Sequence, residues 1–314
     1  MSKVSRMYPS NRVTLREVAL RDGLQLVKSF PSTAAKQKWV EREFAAGVRH
    51  FEVGSFLPVA TMPQFADVRE MIDTVGSFDG AFSAALALNE RGANDALMTP
   101  VDEIVCVVSA TEEHSQANMR RSRAEAIELV KRVAKLSQNS ERKPVVSVAL
   151  SMSFGCSLSG AVDPAEVLRL VEACLKAGAD VIAIADTVGY TGPKHVGELC
   201  EQVIKLCGNT PVVAHLHDTR GMAIANASAA LDAGVRIFDG SLGGLGGCQF
   251  APGATGNVVF EDLVYLCESK GFRTGIDIEA LSAVRTIPQS EMPDEKLYGS
   301  VARAGMPKSD QWRA

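Results

Sequence analysis

Short apolar runs alternate with amphipathic stretches from one end of this chain to the other. Eight runs read as strands: 13–18, 50–54, 81–87, 104–109, 145–150, 181–185, 212–217 and 237–241. They are rich in Val, Ile and Ala rather than strictly alternating, which suits parallel strands buried on both faces. Helical patterns lie between them. The clearest opens at Asp163-Pro164-Ala165-Glu166. Asp163 is expected as N-cap, Pro164 at the first helical position, and Glu166 as the partner that completes a capping box. Val167, Leu170, Val171 and Cys174 then form one apolar stripe, and Gly178 ends the helix. Further helices are predicted from Ser32 or Thr33 to Gly47, from Ser122 with Glu125, and from about Ala223 to Gly234.

Eight strand–helix units in about 270 residues match an α/β TIM (β/α)8 barrel in length and count. A doubly wound open sheet is the runner-up. No low-complexity linker or composition break divides the chain, so residues 1–314 are read as a single domain. The barrel occupies about 12–275 and a short C-terminal extension, about 276–314, packs on it. Pro288, Pro293, Gly299, Gly305 and Pro307 predict short helices and loops there.

Composition narrows the partners. The 314 residues are 46% hydrophobic, ample for one large core. A net charge of −4 leaves no basic surplus to neutralise phosphates, which argues against nucleic acid. No apolar run approaches a membrane span, so no membrane partner is expected. The residues before Arg12 lack the apolar core of a secretory signal. The seven cysteines are scattered and odd in number. Cys106, Cys174, Cys200, Cys207 and Cys267 fall in apolar patterns and read as buried thiols, so a reduced, cytoplasmic setting is expected. The prevalence of symmetric assemblies favours a homo-oligomer.

The chemistry collects where strands end, as a barrel demands of its catalytic groups. Strand one is followed by Arg21-Asp22-Gly23-Leu24-Gln25, and strand two contains Glu52 and leads to Ser55. Strand six ends at Asp186-Thr187, strand seven at His215 and His217, and strand eight runs into 243–248 and 253–257, both glycine-rich. Strand side chains alternate faces, so His215 and His217 point the same way. Two adjacent imidazoles make half a metal site, and a histidine pair packed in a polar core is the alternative. Asp22 with the two histidines suits an octahedral Mg²⁺ or Mn²⁺ better than Zn²⁺. The glycine-rich segment lacks the lysine of a P-loop and the spacing of a dinucleotide fingerprint. It reads instead as a mobile flap that delivers Cys248.

These residues resemble hydroxymethylglutaryl-CoA lyases. The resemblance rests on Arg21-Asp22-Gly23-Leu24-Gln25, the His-Leu-His-Asp-Thr run at 215–219, Gly-Leu-Gly-Gly-Cys at 244–248, Ala-Thr-Gly-Asn-Val at 254–258 and Glu261-Asp262-Leu263-Val264-Tyr265. It runs from about Tyr8 to Ile276. The first two motifs are shared with isopropylmalate and homocitrate synthases, whereas the cysteine-bearing glycine loop is specific. The resemblance implies that Asp22, His215, His217 and Asn257 bind the metal. Arg21 would steady the developing enolate, Glu52 and Asp186 would line the acid pocket, and Cys248 would act on the flap. Gln25, Ser55 and Thr187 are expected to contact substrate, and Asn118 resembles a position near the CoA site. The implied reaction releases acetyl-CoA and a keto acid, acetoacetate for the parent substrate of leucine degradation and ketone-body formation. The first base, Asp186 or His215, stays open.

Departures bear on the acyl group. The family continues Gln-Asn-Glu where this chain has Gln25-Leu26-Val27, and it differs again at 57–61, at Arg220-Gly221-Met222 and at Gln249-Phe250. A citramalyl-type or isoprenoid-extended acyl-CoA is therefore an alternative substrate. Arg120, Arg121 and Arg123 read either as CoA-phosphate contacts or as a solvated helix start. A condensing synthase is the rival reaction, but synthases typically read His-Asn where this chain has His217-Asp218, and they carry a regulatory region for which the chain is expected to be too short. A non-catalytic acyl-CoA- or metal-binding protein on a retained barrel would have lost some of Arg21, Asp22, His215, His217, Cys248 and Asn257, and all are present.

Overall fold

The computed structural model describes residues 2–247 and 256–313. Eight parallel strands close into one barrel in sequence order, so the TIM-barrel expectation is met and the open sheet is excluded. They are β1 (Thr14–Glu17), β2 (His50–Ser55), β3 (Phe82–Leu86), β4 (Glu103–Ser109), β5 (Val145–Ser151), β6 (Val181–Asp186), β7 (Val212–Leu216) and β8 (Ile237–Gly240). The ring closes where Thr14 pairs with Ile237 and Glu17 with Gly240.

A short helix α1 (Lys3–Met7) precedes β1, and α2 (Thr33–Ala45) and α3 (Val68–Gly76) follow β1 and β2. Then come α4 (Glu90–Leu97), α5 (Glu112–Met119), α6 (Arg123–Asn139), α7 (Pro164–Lys176), α8 (Pro193–Cys207), α9 (Ala223–Asp232) and α10 (Phe260–Ser269). The C-terminal segment holds α11 (Ile278–Val284), α12 (Thr286–Glu291) and α13 (Ser300–Ala304).

The helix starts follow their sequence signals, with one exception. Ser32 caps α2 by accepting from Ala35 N, and Ser122 with Glu125 forms a complete capping box on α6. Asp163 caps α7 through Ala165 N, but Glu166 does not close the box. Its carboxylate is drawn off by Arg123 at 2.5 Å and Arg169 at 2.8 Å. Charge-assisted pairing outcompetes a neutral backbone donor there. Gly47 ends α2 with φ +106°, and a Cβ on it would lie 2.2 Å from the Gly275 carbonyl. Only glycine fits that junction.

Outward-facing strand residues and the inner stripes of the helices make the main core around Trp39, Phe51, Phe238 and Phe260, all fully buried. Each such side chain contributes about 2–3 kcal/mol through area removed from water. Cys106, Cys174, Cys200, Cys207 and Cys267 lie buried as free thiols. The barrel interior is different. Its lower end is stoppered by Met7 and Tyr8, which follow no pattern visible in the sequence. The Tyr8 hydroxyl donates to the Glu103 carboxylate, and His50 Nε2 donates to Met7 O at 2.7 Å.

The C-terminal segment lies on the barrel wall and reaches its rim. Asp277 N bonds Ala46 O at 2.8 Å, Trp312 stacks on Tyr265 at 4.4 Å, and Tyr298 N bonds Gly243 O at 2.7 Å. No helix among the described residues is long and apolar enough to cross a membrane.

Candidate active site

The C-terminal mouth of the barrel opens into a cavity of about 330 Å³. After β1 the chain makes one wide turn, Ala19–Gly23, in which the amides of Arg21, Asp22 and Gly23 all converge on the Val18 carbonyl. Such π-type turns are uncommon and cluster at functional sites. This one sets Arg21 and Asp22 over the mouth.

Asp22, His215 and His217 meet there, Asp22 and His217 buried and His215 nearly so. His215 Nε2 lies 3.1 Å from His217 Nε2, and Asp22 Oδ2 is 3.5 Å from His217 Nε2 and 4.0 Å from His215 Nε2. Among the described residues this is the one group of three His, Cys, Asp or Glu side chains close enough to hold an ion. Burial alone would raise the Asp22 pKa. The Arg21 guanidinium at 2.6 Å and the two imidazoles reverse that and hold the carboxyl well below the usual range.

Asn257 arrives from the segment after β8. Residues 256–258 run antiparallel to the end of β7, with Asp218 N bonded to Gly256 O and Val258 N to Leu216 O. Asn257 Nδ2 donates to Asp22 Oδ2 at 2.6 Å and to Leu245 O at 3.2 Å. Its Oδ1 is buried without a partner, as is His217 Nδ1. A half-turn of the amide would set Oδ1 against Asp22 Oδ2, which is repulsive unless a cation lies between them.

This donor set fits a divalent ion. It offers a carboxylate already ionised, two imidazoles and an amide oxygen. Adjacent donors on an octahedral ion at ~2.1 Å sit ~3.0 Å apart, close to the separation of the two Nε2 atoms.

The tautomer of His215 is fixed from behind. Its Nδ1 lies 3.0 Å from Asp239 Oδ2, and an ionised carboxylate only accepts, so Nδ1 carries the proton and Nε2 keeps its lone pair for the cavity. Asp239 itself accepts from Arg16 Nε at 2.6 Å and Nη2 at 3.0 Å. Arg16 also reaches Glu103 at 3.0 Å. The result is a buried chain from the N-terminal stopper to the mouth: Tyr8, Glu103, Arg16, Asp239, His215. Burial would raise the Asp239 pKa, but the Arg16 charge and the His215 bond hold it low. The signal for Arg16 and Asp239 was present in the sequence: both are charged residues on the inward parity of their strands, opposite each other across the β1–β8 pairing.

Arg21 Nε stands 2.8 Å from Glu52 Oε1. The pair is an ion contact without hydrogen-bond alignment, since both atoms lack an aligned partner. Burial outweighs this cation, so the Glu52 pKa rises. Arg21, Gln25, Glu52, Asn118 and Thr187 all line the cavity, and Thr187 Oγ1 also accepts from Met152 N at 2.9 Å.

Three expected residues are not on the cavity wall: Asn257, which stands behind Asp22, and Asp186 and Ser55. Ala185 and Thr187 face in, so alternation turns Asp186 out. Its oxygens accept Tyr190 N at 2.8 Å and Thr191 N at 3.3 Å. Ser55 is fully buried, its hydroxyl lines no part of the cavity, and it is offset from Glu52 by a register irregularity in β2. Of the three arginines after β4, Arg123 is engaged by Glu112, Glu166 and Ala110 O, and Arg121 by Leu88 O. Cys248 and residues 249–255 lie outside the described residues.

The cavity has two unlike halves. The ionic half comes from β1, β2, β7 and β8. Opposite it stand Leu86, Leu88, Val105, Val107 and Ala149, with Leu57 and Met62 from the loop after β2. His114, which the sequence reading missed, joins Asn118 one helical turn away on α5, and its Nδ1 is 2.9 Å from Ser109 Oγ. Burial lowers the His114 pKa to about 4, so it is neutral near neutrality.

Comparison with known proteins accords with this geometry. The HMGL-like family model matches residues 12–287. A hydroxymethylglutaryl-CoA lyase of Bacillus subtilis is 34% identical over 90% of this chain and 94% of its own length. An (R)-citramalyl-CoA lyase of Chloroflexus aurantiacus is 36% identical over 86% of this chain and 88% of its own. The solved structure of an HMG-CoA lyase from Acenitobacter baumannii, in complex with coenzyme A and 3-methylmalate, superimposes with a TM-score of 0.87 at 33% identity. It covers 96% of this chain and 97% of that one.

Proposed function

The chain belongs to the HMGL-like family, and on that premise we propose that it is a divalent-metal-dependent carbon–carbon lyase. Its substrate is a 3-hydroxy-3-methylglutaryl-CoA-like thioester, and its products are acetyl-CoA and a keto acid, acetoacetate for the parent substrate. The observation that carries this reading is the meeting of Asp22, His215, His217 and Asn257 beside Arg21, at the mouth of a cavity whose far wall is apolar.

Mg²⁺ or Mn²⁺, held by those four side chains, would supply Lewis acidity to the tertiary hydroxyl and the distal carboxylate of the substrate. The protein's own groups do the rest. Arg21 presents charge-assisted N–H donors where the thioester enolate develops, and Glu52 and Asp22 fix its guanidinium from two sides. Of the two groups named as first base, Asp186 faces away from the cavity, and His215 commits Nε2 to the metal while Nδ1 is bonded to Asp239, so the geometry selects neither. Asp239 holds that ring in one tautomer. The apolar wall keeps water from the carbanion. Cys248 is proposed as the proton donor that quenches it.

The apolar half suits a hydrocarbon branch, so the longer-branched analogue belongs in the test. Acetyl-CoA release is measured from hydroxymethylglutaryl-CoA, citramalyl-CoA and that analogue, each with Mn²⁺ and with chelator. Metal-dependent release from hydroxymethylglutaryl-CoA is the expected result. Release from another member alone moves the substrate and keeps the chemistry. Release from none refutes the lyase reading and puts condensation first.

A further inference from the structure

Three deeply buried carboxyls lie behind the rim and touch no part of the cavity. Glu17 ends β1 on its outward face, Glu43 sits on the inner face of α2, and Glu261 opens α10; each is 1% exposed or less. Glu261 is neutralised by Arg285 at 2.7 Å. Glu17 has no such cation. It accepts backbone amides instead: Ala19 N at 2.7 Å, and Leu242 N at 3.2 Å and 3.1 Å through its two oxygens. Glu43 has still less. Both of its oxygens are buried without an aligned donor. Its polar neighbours are the Glu17 carboxyl and Trp39 Nε1, and the indole is not aligned for a hydrogen bond.

A lone carboxylate in such a place carries a severe desolvation cost. A carboxylic acid does not, because its O–H becomes a donor aimed at Glu17. We propose that Glu17 and Glu43 share one proton at neutral pH, and that this clasp positions the two rim turns that build the active site. Glu17 holds Ala19, which leads into the turn bearing Arg21 and Asp22. It also holds Leu242, at the start of the turn that delivers Leu245 O to Asn257. Both glutamates are positioning residues, since neither reaches the substrate cavity.

The charged groups acting on the pair are few. Glu261 pushes both pKa values further up, and Arg285 offsets Glu261. Burial is the largest cause of the rise in each. Raised acids keep their proton in the folded state after the unfolded chain has lost it. The shared proton is therefore lost as pH rises through the upper pKa of the coupled pair, on the alkaline side of neutrality, and the clasp with it.

Glu43→Gln tests this, because an amide N–H replaces the acid O–H and cannot titrate. Its kcat near neutrality should stay within about twofold of wild type, and it should escape a wild-type alkaline fall of up to about tenfold per pH unit. Its melting temperature should likewise lose less than that of wild type between about pH 6 and pH 9. Glu17→Gln, which cannot accept all of these amides, should lower kcat at every pH. Infrared spectra of the wild-type protein should show a protonated-carboxyl stretch at neutral pH that Glu43→Gln lacks. A variant that follows the wild-type alkaline fall, or a wild-type spectrum without that band, overturns the proposal. The kcat measurements rest on the lyase reading. The infrared and melting measurements do not, so the two can fail separately.

Discussion

Asp239→Asn is the sharpest perturbation of the interior chain. Asp239 receives Arg16 Nε at 2.6 Å on one oxygen, and Arg16 Nη2 and His215 Nδ1, both at 3.0 Å, on the other. Asparagine keeps the shape but turns one acceptor into a donor. Whichever way its amide settles, an N–H of Arg16 or of His215 then faces another N–H. Removing one partner from a buried ion pair costs about 3–5 kcal/mol. Arg16 keeps Glu103 at 3.0 Å, so the lower end, about 3 kcal/mol, is expected. At about 2 °C per kcal/mol for a chain of this size, the metal-free protein should melt about 6 °C lower. Loss of the group that orients His215 should weaken Mn²⁺ binding about 10–100-fold. Differential scanning calorimetry of the metal-free protein and calorimetric titration with Mn²⁺ read the two effects separately. A lower melting temperature with unchanged Mn²⁺ affinity would refute the orienting role. An unchanged melting temperature would refute the argument from buried charge.

Three further outcomes are expected. Gly256→Ala would bring a Cβ to 2.2 Å from the Gly244 carbonyl, so the backbone beside Asn257 must shift; Mn²⁺ affinity should fall by at least about tenfold, and wild-type affinity by titration would sink the idea. His50 is held neutral by burial, its pKa lowered to about 3; the unfolded chain takes up the proton first, so stability is lost as pH falls below about 6.5. Urea melts at a series of pH values should show a shallower acid-side loss in His50→Gln, and parallel slopes would count against it. Ala149→Phe fills the apolar wall, so kcat/KM for the longer-branched substrate should drop more than for hydroxymethylglutaryl-CoA; equal losses would place the branch elsewhere.

The strands were legible because parallel strands buried on both faces write themselves as runs of Val, Ile and Ala that no surface element needs. The rim turns and the histidine pair were legible for a related reason: polar residues at the end of such a run have few other uses. What was missed was parity. The alternation that placed His215 and His217 on one face also places Arg16 with Thr14, and Asp239 with Ile237, inside the barrel, and it turns Asp186 away from Thr187. Met7 and Tyr8 gave no signal, because a five-residue helix has no period and its burial is decided by a hole that exists only once the barrel is closed. The inner stripe of α2 was disguised as well. Lys36, Trp39, Val40 and Glu43 recur at helical spacing and all are buried, yet two of the four are charged. Lys36 is excused by Gln64 O at 2.6 Å and Asp67 at 2.8 Å, whereas Glu43 has beside it another acid and an indole N–H that is not aligned to it.

The hydrogen bond from Asn257 to Asp22 spans 235 positions of sequence. The proposed metal donors therefore come from both sides of the β1–β8 seam, on the arc β7–β8–β1, so an ion held by all four joins the first strand of the chain to the last two. A ligand that binds only the closed ring stabilises that ring by mass action, by about 4 kcal/mol at a thousandfold excess over its Kd. The ion would act as a latch across that seam, tying the two ends of the barrel sequence to each other.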